Sequence, residues 1–244
     1  LFQETVSKHG NKNAAIFSSQ NIKLTYEELK LEIDRLACGL LSLGLIKGDR
    51  VGIWSPNRYE WLLTQFATAR IGLILVNINP AYRLSELEYA LNKVQCKAII
   101  SAESFKTSNY IKMLKELAPE LNDCKAGHLK SEKLPHLRHV ISMGDGNESG
   151  LFTFSQILKF GTSVKTSDLD VITNKLNPND PINIQFTSGT TGSPKGATLT
   201  HKNIVNNARF VTDRISLTDS DNLCIPVPLY HCFGMVMGTL GCVT

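Results

Sequence analysis

Residues 187–196 read Thr-Ser-Gly-Thr-Thr-Gly-Ser-Pro-Lys-Gly, the densest run of small, hydroxyl-bearing and cationic side chains in the chain. Gly189, Gly192 and Gly196 permit positive φ and a close backbone approach, so that consecutive amides can turn toward an anion. Thr187, Ser188, Thr190, Thr191 and Ser193 add hydroxyls able to donate to phosphate oxygens or to ligate Mg²⁺. Lys195 supplies a mobile positive charge, and Pro194 stiffens the loop just before it. The run reads as a loop that holds phosphate. Its plain alternative is a ligand-free surface turn of the same composition. A Walker A loop fails on register: counted from Gly189, G-x-x-x-x-G-K-[ST] puts Pro194 where the second glycine belongs.

The residues before the loop favour the ligand reading. Pro181-Ile-Asn-Ile-Gln-Phe186 is an apolar alternation bounded by proline and hydroxyl residues, the pattern of a strand. A strand running into a glycine-rich loop is where open α/β sheets place ligands. Upstream, apolar residues change period repeatedly. Strands are predicted at 14–17, 22–24, 50–54, 73–77, 97–100 and 139–142, and helices at 25–41, 60–71, 85–94 and 107–117. Thr25-Tyr-Glu-Glu28 is a capping box opening one helix and Gly44 suits its C′ position; Ser85-Glu-Leu-Glu88 is read as the cap of another. Alternating strands and helices force parallel pairing, so the expected fold class is α/β, a doubly wound sandwich.

Downstream, 197–200 reads as a short strand, 200–214 as a helix and 222–227 as a further strand. His231 would follow that last strand in a turn framed by Pro226, Pro228 and Gly234. It is either a functional imidazole at a strand's carboxyl end or a ring packed beside Tyr230 and Phe233. Residues 161–180, polar and with Pro178 near the end, are the best candidate for a crossing between lobes. The expected division is a first lobe over about 1–178 and the start of a second, with the phosphate loop, over 179–244.

At these motifs the chain resembles a known family. TSGTTGSPKG is similar to the phosphate-binding loop of the adenylate-forming enzymes, which comprise acyl-CoA synthetases, luciferases and peptide-synthetase adenylation domains. Pro228-Leu-Tyr-His-Cys-Phe-Gly234 looks like that family's P-x-Y-H-x-F-G element. The wider run 180–207, with Asn79-Pro-Ala-Tyr82, is most similar to mitochondrial medium-chain acyl-CoA synthetases, over nearly the whole chain. The resemblance implies ATP-dependent activation of a fatty acid to an acyl-adenylate, then attack by the thiol of CoA. It implies that residues 187–196 grip the ATP phosphates, that Thr190 lies near Mg²⁺, and that Lys195 and His231 act in catalysis. An aryl-CoA ligase, an amino-acid adenylation domain or a non-catalytic nucleotide-binding truncation would share the loop. The family's Y-G-x-T-E element, ribose-binding aspartate, hinge and catalytic lysine would fall beyond Thr244. The sequence is therefore expected to be the first portion of a larger protein and inactive alone.

Composition bounds the rest. With 244 residues and 42% apolar content the chain can bury a substantial core. A net charge of +4, from 26 basic and 22 acidic residues, comes without a basic block or aromatic-basic interleaving, so nucleic acid is not an expected partner. The six cysteines lack zinc spacing and read as reduced thiols, most of them buried. His136 and His139 form an H-x-x-H with no further ligands nearby in sequence. No apolar run reaches the ~18 residues of a membrane span. Ser188 and Ser193 sit in no G-x-S-x-G elbow, which argues against a serine hydrolase.

Overall fold

The computed structural model describes residues 1–162, 166–187 and 193–244, with Thr166 as backbone only. Eleven strands are described. β3 (Arg50–Trp54), β4 (Ile74–Asn77), β5 (Ala98–Ser101), β8 (His139–Ser142), β9 (Leu151–Thr153), β10 (Pro181–Thr187) and β11 (Lys195–Thr200) form one sheet in the order β11-β10-β4-β3-β5-β8-β9. All neighbours pair parallel except β10 and β11. Two small antiparallel pairs lie apart: β1 (Asn13–Phe17) with β2 (Ile22–Thr25), and β6 (Ser104–Phe105) with β7 (Ser108–Asn109).

The central strands β3, β4 and β5 are almost wholly buried, as a sheet covered on both faces requires. One covering layer holds α1 (Phe2–His9), α2 (Tyr26–Ser42), α3 (Tyr59–Arg70), α6 (Phe154–Gly161) and α7 (Thr166–Thr173), with α2 at its centre. α4 (Leu84–Lys93) and α5 (Tyr110–Leu117) pack on each other. α2 opens as its sequence dictates: Thr25 Oγ1 accepts from the Glu28 amide and the Glu28 carboxylate accepts from the Thr25 amide. It closes at Gly44, φ 80°, whose amide bonds to Leu41 O.

α2 and α6 touch backbone to backbone. A Cβ on Gly39 would lie 2.1 Å from Ile157 O, and one on Gly161 would lie 1.9 Å from Arg35 O. Alanine at position 39 gains about 1 kcal/mol of helix propensity but forces two backbones apart. The clash is with a carbonyl, which no side-chain rotation relieves. Gly39→Ala is expected to destabilise by about 1–3 kcal/mol net, read as a lower midpoint in thermal unfolding of the intact protein. An unchanged or raised midpoint would refute the close approach.

Three readings change, and a fourth stretch is described with them. Residues 222–227 have no regular structure and belong to no ladder; a strand forms only where a neighbour offers its backbone, and among the described residues none does. The cap of α4 is Arg83, with extended backbone, whose amide donates to the Glu86 carboxylate at 3.1 Å, while Ser85 and Glu88 lie inside the helix. α5 begins at Tyr110 rather than 107, capped by Asn109, because β6 and β7 occupy the preceding residues. The stretch 161–180 carries α7, docked through Arg70 to Asp170 and Thr173. After it, β10 pairs parallel with β4.

Candidate functional site

β10 is parallel to β4 and β11 is antiparallel to β10, so β10 and β11 connect at the carboxyl end of the parallel strands, where the run 187–196 falls. Thr187 pairs with Lys195 at its base, where Thr187 Oγ1 donates to Lys195 O at 3.4 Å. Ser188, Gly189, Thr190, Thr191 and Gly192 lie outside the described residues, so the predicted amide cradle and the predicted Mg²⁺ contact of Thr190 do too. Of the remainder, Ser193 and Lys195 are exposed and Pro194 is half-buried. The Tyr89 hydroxyl, from α4, donates to Pro194 O at 3.0 Å and holds the loop's exit. Gly196 lies against the strand, since a Cβ there would approach Ile184 Cγ2 to 3.1 Å. Among the described residues Lys195 makes no ion pair, so its ammonium is available to a ligand.

This hairpin differs physically from a loop that opens a helix. α8 (His201–Arg214) begins after β11 has returned to the opposite end of the sheet, with Thr200 and Asn203 forming its capping box. The positive end of its dipole is thus remote from the loop.

The His231 turn reaches the same edge by another route. Residues 221–228 cross without regular structure to a turn in which the His231 amide donates to Pro228 O at 3.2 Å. A π-helical segment, Phe233–Leu240, follows. Asn77, the last residue of β4, donates through Nδ2 to Tyr230 O at 2.9 Å. In the sheet Asn77 stands level with Gln185 of β10, and Gln185 with Ala197 of β11. β4 and β11 are therefore two strand spacings apart, about 10 Å, with the His231 turn over one and Lys195 just past that level on the other. The structure brings Lys195 and His231 to one edge of one sheet.

His231 is exposed, and its ring meets Tyr230 edge-on with centroids 6.3 Å apart. Its Nδ1 accepts from the Phe233 amide at 3.3 Å, so the neutral ring carries its proton on Nε2. Desolvation raises the thiol pKa of neighbouring Cys232, which argues against a Cys–His nucleophile. Burial likewise raises the Tyr82 hydroxyl, helped by Glu86 and Tyr230, so it stays a neutral donor near the turn.

A buried amide network underlies the edge. Asn183 Nδ2 donates to Leu75 O at 2.9 Å and to Asn77 Oδ1 at 3.0 Å; Gln185 Nε2 donates to Asn183 Oδ1 at 2.9 Å. Gln65 Nε2 donates to Met235 O, and Thr239 Oγ1 to Gln65 Oε1 at 2.7 Å. The sequence carried one sign of it, amides inside apolar strands, because a polar side chain in a buried strand requires a partner.

Beside the network lies an apolar cavity of about 490 Å³ bounded by Ile33, Phe66, Leu75, Ile182, Ile204 and Leu240, with Met235, four residues past His231, in its wall. The orphaned Nε2 of His201 belongs to a residue that also lines it. His136 is exposed, His139 starts β8 beside Phe152, and among the described residues no group of three or more His, Cys, Asp or Glu could hold a metal. All six cysteines are free, but only Cys38 and Cys96 are buried. Among the described residues no helix is long and apolar enough to cross a membrane.

A mostly parallel open sheet with a glycine-rich hairpin and a histidine turn at its carboxyl edge places the chain among α/β proteins that hold ligands at that edge. Residues 2–244 match the model of the AMP-binding enzymes, and the chain belongs to that family. It is 48% identical over 238 residues to the medium-chain acyl-CoA ligase ACSF2, mitochondrial, of Danio rerio, covering 97% of this chain and 39% of that one. Against the Homo sapiens protein of the same name identity is 45% over 245 residues, covering 98% and 40%. The chain thus spans about two fifths of the length of these relatives. Among solved structures, the anthranilate CoA ligase AuaEII in complex with anthranoyl-AMP superposes with TM-score 0.81 at 21% identity, over 99% of this chain and 42% of that one. Mycobacterium smegmatis MbtA in its apo form gives TM-score 0.81 at 24% identity, over 100% and 41%. These likenesses establish the fold.

Proposed function

We propose that these residues form the ATP-gripping part of a ligase that activates a medium-chain fatty acid and passes the acyl group to CoA. The observation that carries this reading is the convergence of Lys195, the glycine-rich hairpin and the His231 turn on one sheet edge. In the first step a carboxylate oxygen attacks the α-phosphorus of ATP, the bond to the bridging oxygen breaks, and pyrophosphate leaves with its electron pair. Both reactants are anions, so the barrier falls only if charge on the departing phosphates is neutralised in place. Lys195 does this from the hairpin, with residues 187–196 gripping the phosphates. His231 borders the acid and the leaving group, its Nε2–H free to donate to a developing negative oxygen. In the second step the CoA sulfur attacks the acyl carbonyl carbon, its proton passes to solvent or a base, and AMP leaves.

Mg²⁺, when bound, would add charge neutralisation, and Thr190 would help to hold it on this reading. The described residues hold no carboxylate set for it, so residues 1–244 are proposed to be inactive alone, and acyl-CoA formation by them would refute that. Mitochondrial placement follows the names of the relatives, and cell fractionation tests it. Acid-dependent ATP–pyrophosphate exchange by the intact enzyme tests the main reading. Medium-chain fatty acids should give the highest rate, and faster exchange with aryl or amino acids would overturn the choice of substrate.

A further inference from the structure

Two asparagines, one in the loop after β3 and one at the end of β4, grip the backbone that carries His231. Asn57, in the loop after β3, takes hold at two points: its Oδ1 accepts from the Leu229 amide at 2.7 Å and its Nδ2 donates to Val227 O at 2.9 Å. One side chain thus imitates the rung of a ladder for a segment that has no strand partner. Asn77 takes Tyr230 O from β4, and its own amide is oriented by Asn183, which is anchored on Leu75 O. Residues 227–230 are therefore fixed from below by β4 and from the side by the β3 loop. His231 follows immediately and is itself exposed, so among the described residues few side-chain contacts hold its imidazole: an edge-on ring and one amide bond.

We propose that Asn57 is a positioning residue for the reaction, acting through His231. The proposal rests on the proposed ligase reading. An exposed turn without a ladder would sample several arrangements, and catalysis tolerates little such spread: a misplacement near 1 Å can cost about 100-fold in rate. Asn57 is exposed, so its removal leaves no buried polar group of its own and the enzyme should still fold. Asn77 is buried, and replacing it would strand Asn183, which makes it the poorer probe.

The test is a double-mutant cycle in the intact enzyme, read by pyrophosphate exchange and by hydrogen exchange of the peptide spanning 227–231. Asn57→Ala is expected to lower kcat about ten-fold or more with KM for ATP little changed, and to speed amide exchange in that peptide. Asn57→Asp, which keeps the acceptor for Leu229 but loses the donor to Val227, should fall between. Adding Asn57→Ala to His231→Ala should cost little further, because residues acting as one unit do not add. Wild-type kcat in Asn57→Ala, full additivity with His231→Ala, or a His231→Ala enzyme as fast as wild type would each overturn the proposal while leaving the ligase reading standing. Should the wild-type enzyme exchange pyrophosphate with no acid, the ligase reading fails by itself. The grip is then judged by hydrogen exchange alone, and unchanged protection at 227–231 in Asn57→Ala overturns it.

Discussion

Lys195→Ala is expected to slow acid-dependent pyrophosphate exchange by about 10²–10³-fold while leaving the unfolding midpoint within about 2 °C of wild type. The two numbers separate because the lysine does two very different amounts of work. In the free protein its side chain is exposed and forms no ion pair with a described residue, so little folding energy is lost with it. In the transition state it would face phosphates whose charge grows as pyrophosphate departs, in a site from which substrate excludes water, where each neutralising contact is worth most. The hairpin geometry sharpens the expectation. The helix that follows begins at the other end of the sheet, so its terminus does not stand behind the loop to make good the missing charge. Lys195→Arg should recover part of the rate, since it restores charge with a different donor geometry. Exchange at the wild-type rate in a folded Lys195→Ala enzyme would remove the lysine from the mechanism.

Arg70→Ala carries the largest expected effect on stability, a loss of about 3 kcal/mol. Arg70 closes α3, and its guanidinium, 9% exposed, donates to Asp34 Oδ1 at 3.1 Å, to Asp170 Oδ1 at 2.6 Å and to Thr173 Oγ1 at 2.6 Å. Asp34 is buried in α2, so removing the arginine leaves a desolvated carboxylate with Lys30 as its remaining cation, 2.5 Å away. The contact with exposed Asp170 contributes little by comparison, although Arg70 beside it lowers that carboxyl's pKa. α7 is joined to α3 through these bonds, so the loss has a local signature. Amide exchange over 166–173 should accelerate along with a fall of about 6–12 °C in the midpoint. A midpoint within 2 °C of wild type and unchanged protection of α7 would show that the network contributes nothing net.

How much of this was legible beforehand follows the range of the interactions. β3 and β8 lie at the residues their apolar runs mark, because a strand buried on both faces must be apolar throughout. The start and stop of α2 are written in Thr25, Glu28 and Gly44, whose partners are a few residues away. α1, α6 and β9 escaped the reading. Thr153 and Gln156 do form a capping box for α6, but the helix is eight residues long and amphipathic over only two turns. Residues 222–227 show the converse error, an alternating pattern with no neighbour to pair with. Of the candidate site, Lys195 and His231 were readable as motifs. Asn57, Asn77 and Tyr89 were not, since nothing in a lone asparagine or tyrosine says that its partner lies 105 to 172 residues away.

The order of residues alone determined the alternation of strands and helices, the mostly parallel sheet that alternation demands, and the composition of the loop. Each depends on local periodicity or on side chains adjacent in sequence. Only the folded chain decided that the glycine-rich run connects two antiparallel strands rather than opening a helix, and that His231 arrives over β4 held by amides from β4 and from the loop after β3. Those outcomes depend on which strands become neighbours, and strand order is set by the packing of whole layers, which no short stretch of sequence contains.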